Sequence, residues 1–177
     1  MANYISIPIL AELVQFAEHD SEHEDSAKAL ASGVLNYYFT AINGFIVAPE
    51  QNKSNHRPDF IILRVLRRFL GDRGVANHVI AIAEAIKQAE SFERSLEQLE
   101  DVLEQGNMEF GRCWAILVRG CTFCFYEYHS NLPANSRLIP WVPPGQSQNE
   151  FHGRSDSMVV DWMLRHIAQN TSPPGCE

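Results

Sequence analysis

The chain has 177 residues, of which 45% are hydrophobic and 20% are charged, which is typical of one globular domain and excludes a largely disordered chain. Its formal net charge of −8 argues against binding nucleic acid through bulk positive charge, although a nuclease whose own carboxylates hold a divalent metal is compatible with it. The four cysteines are too few for a disulfide framework, the apolar runs are too short to span a membrane, and the N-terminal segment has no basic start of a secretory signal. We therefore expect an intracellular protein, cytoplasmic or nuclear, without membrane association.

The first part of the chain predicts two helices and a short strand. Apolar residues recur at helical spacing over residues 6–18 and 26–42, and Asn43-Gly44 is a typical left-handed helix stop. The segment FIVAP predicts a strand that ends at Pro49, and the polar segment EQNKSNH after it predicts a loop.

The rest of the chain predicts the strands of a mixed sheet and two further helices. They are strands at 58–66 and 77–85, a helix at 89–105, a hairpin in RCWAILVRGCTFCFYEYH with its turn near Arg119-Gly120, an edge strand in SRLIPWV and a helix at 156–169. We therefore predict an α/β (α+β) fold of one domain over residues 1–177, a mixed β-sheet sandwiched by helices. Its core covers about 26–130, an edge strand and helix follow at about 136–170, and residues 171–177 form a disordered tail.

Two acidic residues lie at corresponding ends of the central strands. If the strands at 58–66 and 77–85 form a hairpin with its turn between Gly71 and Asp72, Asp59 lies opposite Glu84. Two carboxylates so close are tolerated mainly where a cation lies between them or one is protonated. Oxygen ligands of this kind suit Mg²⁺ or Mn²⁺, and a nearby lysine, Lys87, would position or activate a water molecule. The pattern therefore indicates a metal-dependent hydrolytic site.

The segment RPDF, followed after about 25 residues by EAIK, resembles the PD-(D/E)xK nuclease-like superfamily, and is similar in particular to fungal members of it. The resemblance covers about residues 26–130 and implies a restriction-endonuclease-like core with Mg²⁺- or Mn²⁺-dependent hydrolysis of phosphodiesters in nucleic acid. It also implies that Asp59 and Glu84 bind the metal and that Lys87 assists catalysis. The chain departs from the motif by one residue, since two residues and not one separate Glu84 from Lys87. On a regular strand this spacing turns Lys87 to the opposite face, and a β-bulge at Ala85-Ile86 would restore it.

Many of these nucleases use a further glutamate from the preceding helix, and Glu24 is our candidate for this third metal ligand. Glu22 and Asp25 are the other acids in that joint. A basic rim for substrate binding is predicted at Arg57, Arg64 and Arg67, which surround the first central strand.

Two functions remain open from the sequence. The first is a Mg²⁺-dependent nuclease, and the second is a catalytically degenerate nuclease-like fold that acts as a binding or protein-interaction module, as a partner of another protein or as a homodimer. The acidic net charge and the displaced Lys87 favour the second. Cys121 and Cys124 form a CxxC, but residues three apart on a strand point to opposite faces, so we expect two buried thiols and not a metal site.

Overall fold

The computed structural model describes residues 1–49, 60–69, 72–86 and 92–175, and for 61, 63–69 and 72–75 it describes the backbone alone. Four α-helices lie within these residues: Pro8–His19 (α1), Glu24–Tyr38 (α2), Phe92–Glu104 (α3) and Ser157–Gln169 (α4). Seven strands lie there as well: Phe45–Pro49 (β1), Phe60–Phe69 (β2), Asp72–Glu84 (β3), Arg112–Arg119 (β4), Thr122–His129 (β5), Leu138–Pro140 (β6) and Phe151–His152 (β7).

The strands form one mixed sheet in the order β1-β2-β3-β4-β5-β6, and β7 pairs with β5. The pairs β1–β2, β2–β3, β4–β5, β5–β6 and β5–β7 are antiparallel, whereas β3 and β4 are parallel. A parallel pair needs a crossover connection, and α3 supplies it between β3 and β4. The carboxyl ends of β3 and β4 therefore lie at the same edge of the sheet.

Helices cover both faces of the sheet, because both faces are apolar. On one face, buried residues of α1, α2 and α4 pack against alternate strand residues such as Val79, Ala81 and Ala83. On the other face, Leu99 and Leu103 of α3 belong to a second apolar cluster with the intervening strand residues. This three-layer arrangement confirms the predicted mixed sheet between helices.

The predicted elements are all present, with ends that differ by a few residues. The second helix ends at Tyr38 and not near residue 42, because Ala41–Asn43 forms a separate 3-10 turn. Gly44 closes that turn with φ at +88°, a left-handed conformation that favours glycine. The hairpin turn near Arg119-Gly120 and the edge strand are confirmed as the β4–β5 connection and β6.

The predicted register of β2 and β3 is wrong by two residues. The structure pairs Phe60 with Ala81, whereas the predicted register would put Phe60 opposite Ala83. The cause is the position of the turn, because Phe69 pairs with Asp72 and the hairpin is centred one residue earlier than expected. Two irregularities, between Arg67 and Phe69 and between Ile62 and Leu63, shift the pairing by one residue in opposite directions, so that they cancel by Phe60.

Candidate functional site

Glu84 is the last residue of β3, and its neighbour across the parallel pair is Arg119, the last residue of β4. Alternation along β3 turns Glu84 to the same face as Ile80 and Ile82, the face that α3 covers. The fold thus brings a carboxylate and a guanidinium to one position, at the carboxyl edge of the central strands and under a helix.

Two side chains donate hydrogen bonds to the Glu84 carboxylate, and both donate to the same oxygen, Oε1. Arg119 Nε donates to Oε1 at 2.9 Å, and the hydroxyl of Ser95 donates to the same oxygen. The side chains of Glu84 and Arg119 are 15% and 16% exposed, so the ion pair is mostly shielded from water. Neither contact uses Oε2.

Two residues in the first turn of α3 contact this ion pair. Ser95 reaches Glu84, and the Arg119 guanidinium carbon lies 5.4 Å from the centre of the Phe92 ring, a cation–π contact. The N-terminus of a helix carries a partial positive charge, which favours a carboxylate beneath it. In addition, Gly120 N donates to the carbonyl oxygen of Glu84 at 2.9 Å, so a backbone hydrogen bond joins the end of β3 to the β4–β5 turn.

Cys124 and Tyr126 of β5 belong to the apolar cluster on the same face. Burial raises the pKa of the Cys124 thiol to about 12, and the nearby Glu150 adds to the shift. Burial also raises the pKa of Tyr126 well above its usual value. Both groups therefore stay protonated at neutral pH, so that neither is an activated nucleophile or a general base.

Five of the other predicted site residues have side chains outside the description. Asp59, Lys87 and Arg57 lie outside the described residues. Arg64 and Arg67 lie on β2, where the backbone pairs them with Ala76 and Arg73, but their side chains are outside the description.

Glu24 lies at the start of α2, on the surface, and its carboxylate forms an ion pair with Lys28 one turn later. The side chain of Glu24 is 50% exposed. Its described ionic partner is therefore a lysine of its own helix, and Glu24 remains a prediction as a metal ligand.

The chain leaves the strand directly after Glu84. Ala85 and Ile86 are irregular, and Ile86 N donates to Ser21 O at 2.9 Å, in the joint between α1 and α2. The described strand therefore ends at Glu84, and the face to which Lys87 turns lies outside the described residues.

A second cluster of polar groups lies on the other side of the β4–β5 turn. Within the described part of the chain, one group of three residues has the composition of a metal site: Glu18, Cys121 and His152, whose ligand atoms all lie within 4.8 Å of one another. They come from α1, from the turn and from β7. The sequence gives no signal for this cluster, since its members are far apart along the chain.

The hydrogen bonds of this cluster are those of an ion pair and not of a metal site. Arg154 Nε and Nη2 donate to the two carboxylate oxygens of Glu18, each at 2.9 Å. The backbone N–H of Arg154 donates to His152 Nδ1 at 3.2 Å, which leaves the ring proton on Nε2, where a metal would need a lone pair. Burial raises the pKa of Cys121 to about 11, so its sulfur is a thiol at neutral pH. The cluster therefore ties the segment around Arg154 to the end of α1.

Cys121 and Cys124 face opposite layers, as predicted for a CxxC on a strand: Cys121 packs with the residues under α1 and Cys124 with those under α3. Five aromatic side chains of β4 and β5 are buried in the core as well. They are Trp114, Phe123, Phe125, Tyr126 and Tyr128.

A surface cavity of about 380 Å³ lies at the opposite end of the molecule, lined in part by Tyr38, Phe45 and Arg165. Arg165 Nε and Nη2 form a two-point ion pair with Asp161, at 2.8 and 3.0 Å, and Tyr38 donates its hydroxyl to the same carboxylate. The charge at this cavity is thus already compensated within the protein.

Comparison of the chain with protein-family models, with curated proteins and with solved structures gives no match. No helix among the described residues has the length and apolar character that crossing a membrane requires.

Proposed function

We propose that this protein is a divergent member of the PD-(D/E)xK nuclease-like superfamily with a restriction-endonuclease-like core, and that it hydrolyses phosphodiesters of nucleic acid with Mg²⁺ or Mn²⁺. The order of elements supports the proposal, because α2 is followed by three antiparallel strands, a crossover helix and a parallel fourth strand. The region that resembles the superfamily, about 26–130, contains these elements.

The observation that carries the proposal is the position of Glu84. Glu84 is a largely shielded carboxylate at the carboxyl end of a central strand, and its Oε2 takes part in neither described side-chain contact. It is also the residue that the motif assigns as the second metal-binding acid. The site therefore combines the expected residue type with a position in the middle of the sheet.

The donor chemistry of Glu84 fits a hard divalent cation. Mg²⁺ is commonly bound by one or two carboxylates and completes its shell with water and substrate phosphate. Glu84 Oε2 is one such donor, and Asp59 is the second in our proposal. When bound, the metal would supply an activated water and neutralise charge on the phosphate.

The protein's own residues have separate roles in this proposal. Ser95 and Arg119 fix the orientation of the Glu84 carboxylate through Oε1. Lys87 positions the attacking water, and Arg57, Arg64 and Arg67 bind the phosphates of the substrate outside the cleavage site.

The test is a cleavage assay with plasmid, single-stranded DNA and RNA, in Mn²⁺ or in EDTA. We expect cleavage in Mn²⁺ that is abolished in EDTA and in Asp59→Ala and Glu84→Gln. Glu97→Gln, an exposed acid on α3, is the matched control and should cleave like the wild type. Intact substrate under all conditions, together with no Mn²⁺ binding in calorimetry, would contradict the nuclease.

A second candidate is the catalytically degenerate fold that binds a protein partner or a second copy of itself. The Glu84–Arg119 ion pair favours it, because Arg119 compensates the shielded carboxylate without any metal. This candidate predicts that Mn²⁺ leaves the melting temperature unchanged, and that Asp59→Ala leaves partner binding or self-association unchanged.

A further inference from the structure

The surface cavity beside β1 has an aromatic floor that the core holds in place. Tyr38 and Phe45 line the cavity, and they are 2% and 8% exposed. The Phe45 ring contacts the rings of Phe39 and His78, with centroids 5.3 and 4.9 Å apart. The volume of about 380 Å³ lies in the range of about 300–1,000 Å³ that is usual for small-molecule sites. The floor therefore suits a small ligand with a flat, partly apolar face.

Two carboxamide side chains line the same cavity. Asn43 ends the 3-10 turn before β1, and Gln169 is the last residue of α4. Both residues are exposed, and neither carboxamide takes part in a described hydrogen bond. A carboxamide offers two N–H donors and a carbonyl acceptor. Together the two side chains can therefore bind a ligand edge that carries donors and acceptors side by side.

The lining of the cavity carries no net side-chain charge. Arg165 is its one charged side chain, and Nε and Nη2 of Arg165 pair with Asp161 at 2.8 and 3.0 Å. Its Nη1 takes part in no described hydrogen bond, so it can donate to a ligand acceptor. Tyr38 donates its hydroxyl to Asp161, and burial raises the pKa of Tyr38 well above its usual value, so the phenol is neutral.

Two helices end at this cavity. The last residues of α2 and α4, Tyr38 and Gln169, both line it. The C-terminus of a helix carries a partial negative charge, which disfavours an anionic ligand, and the guanidinium of Arg165 disfavours a cationic one. A neutral ligand avoids both penalties.

We propose that this cavity binds a neutral nucleoside, with the base on the floor formed by Tyr38 and Phe45 and the edge of the base at Asn43 and Gln169. A nucleobase has a flat face and an edge of adjacent donors and acceptors, and the carboxamides of Asn and Gln pair with adenine through two hydrogen bonds. The cavity shares no residue with the site around Glu84. The inference therefore does not rest on the proposed nuclease function.

The test is a calorimetric titration of the full chain with adenosine, with any purification tag at the C-terminus because Met1 lines the cavity. We expect saturable one-to-one binding and a rise in melting temperature, since the ligand binds the folded state. Ribose, benzoate and benzamidine are the comparison ligands. Ribose lacks the base, and the other two are flat but charged, so none of them should show saturable binding.

Three variants test the position of the ligand. Asn43→Ala and Gln169→Ala should each weaken adenosine binding about tenfold, the loss expected for one hydrogen bond. Ala168→Met puts a larger side chain into the cavity and should abolish binding. Gln148→Ala, which removes an exposed carboxamide in the β6–β7 connection, is the matched control and should bind like the wild type. Circular dichroism checks that each variant is folded, and the exposed positions of Asn43 and Gln169 make their variants safe in this respect.

The contrary outcomes are specific. No saturable binding of adenosine, or unchanged affinity in the folded Asn43→Ala and Gln169→Ala variants, would overturn the inference. Ribose that binds as tightly as adenosine would show a sugar site, and tighter binding of benzoate or benzamidine would show that charge governs the cavity. Either result would overturn the neutral base as ligand. Asn43→Ala should cleave nucleic acid like the wild type in Mn²⁺, so the failure of one proposal leaves the other standing.

Discussion

Arg119 and Cys121 flank Gly120 in one tight turn, and their side chains lie on opposite faces of the sheet. Arg119 pairs with Glu84 under α3, whereas Cys121 packs against α1 on the other face of the sheet. Gly120 has φ at +56°, a left-handed conformation that lets the chain reverse between the two strands. The two polar clusters of this edge are therefore connected through three consecutive residues.

The first prediction concerns the stability of the Glu84 ion pair. Arg119→Met leaves a shielded carboxylate without its partner, and we expect the free energy of unfolding to fall by about 3–5 kcal/mol, the usual cost of breaking a buried pair. Urea denaturation at pH 7 measures this. Glu24→Gln, which breaks the exposed pair with Lys28, should change the stability by less than about 0.5 kcal/mol. Equal effects of the two substitutions would contradict the shielding of Glu84.

The second prediction concerns pH and the Glu18–Arg154 ion pair. The hydrogen bonds from Arg154 lower the pKa of Glu18 below its ordinary value of 4.5. A carboxyl group with a lowered pKa in the folded state stabilises the protein above its ordinary pKa, and this stabilisation is lost as the pH falls through the folded pKa.

Below pH 4.5 the wild type should therefore lose a stabilisation that Arg154→Met lacks at every pH. Melting temperatures measured between pH 3 and pH 7 should converge for the two proteins at the acid end. A constant difference across this range would show that Glu18 does not contribute through its charge.

The third prediction concerns the thiols. Burial raises the pKa of Cys121 to about 11 and that of Cys124 to about 12, so both should resist a thiol reagent at pH 8 in the folded protein. In a Cys176→Ser background the third remaining thiol, Cys113, is buried as well, so we expect no rapid reaction under native conditions and reaction of all three thiols in urea. Rapid modification of Cys121 without denaturant would show that the turn opens readily.

The fourth prediction concerns the close approach of Gly153 to the turn. A Cβ at this position would lie 3.1 Å from Cys121 Sγ and 3.2 Å from its carbonyl oxygen, which itself accepts a hydrogen bond from Gly153 N. Gly153→Ala should lower the free energy of unfolding by about 1–3 kcal/mol, a typical cost of overpacking. Val159→Ala is the control, because it removes part of a half-buried side chain on the neighbouring helix α4. Gly153→Ala should weaken the Glu18–Arg154 ion pair in the pH experiment described above. Val159→Ala should leave that ion pair unchanged.

Much of the fold follows from local patterns. The stripe of Leu99 and Leu103 on α3 and the alternation of Ile80 and Ile82 on β3 both indicate which face is apolar, and the structure buries these faces as expected. The hairpin register does not follow from pattern alone, because moving the turn by one residue shifts every pair by two and preserves the alternation. The two-residue error in the predicted register comes from this, whereas Asp59 itself lies outside the described residues.

Some contacts of the candidate site could be inferred from sequence, and others could not. The partnership of Glu84 and Arg119 could be inferred from sequence, since parallel strands end at the same edge and both residues end their strands. Glu18 and Arg154 could not, because 136 residues separate them and they meet only after two layers have packed. Spacing along a strand or helix carries no information about such contacts.

The placement of α3 has a consequence for local opening of the native state. It is the one described helix on its face of the sheet, and its first turn supplies both Ser95 and the Phe92 ring to the Glu84 ion pair. Partial unfolding of α3 would expose Ile80, Ile82 and Glu84 together, so the site and the helix should behave as one cooperative unit in amide hydrogen exchange. Any ligand that prefers the closed form of Glu84 will then slow exchange along the whole of α3, far beyond the residues that it touches.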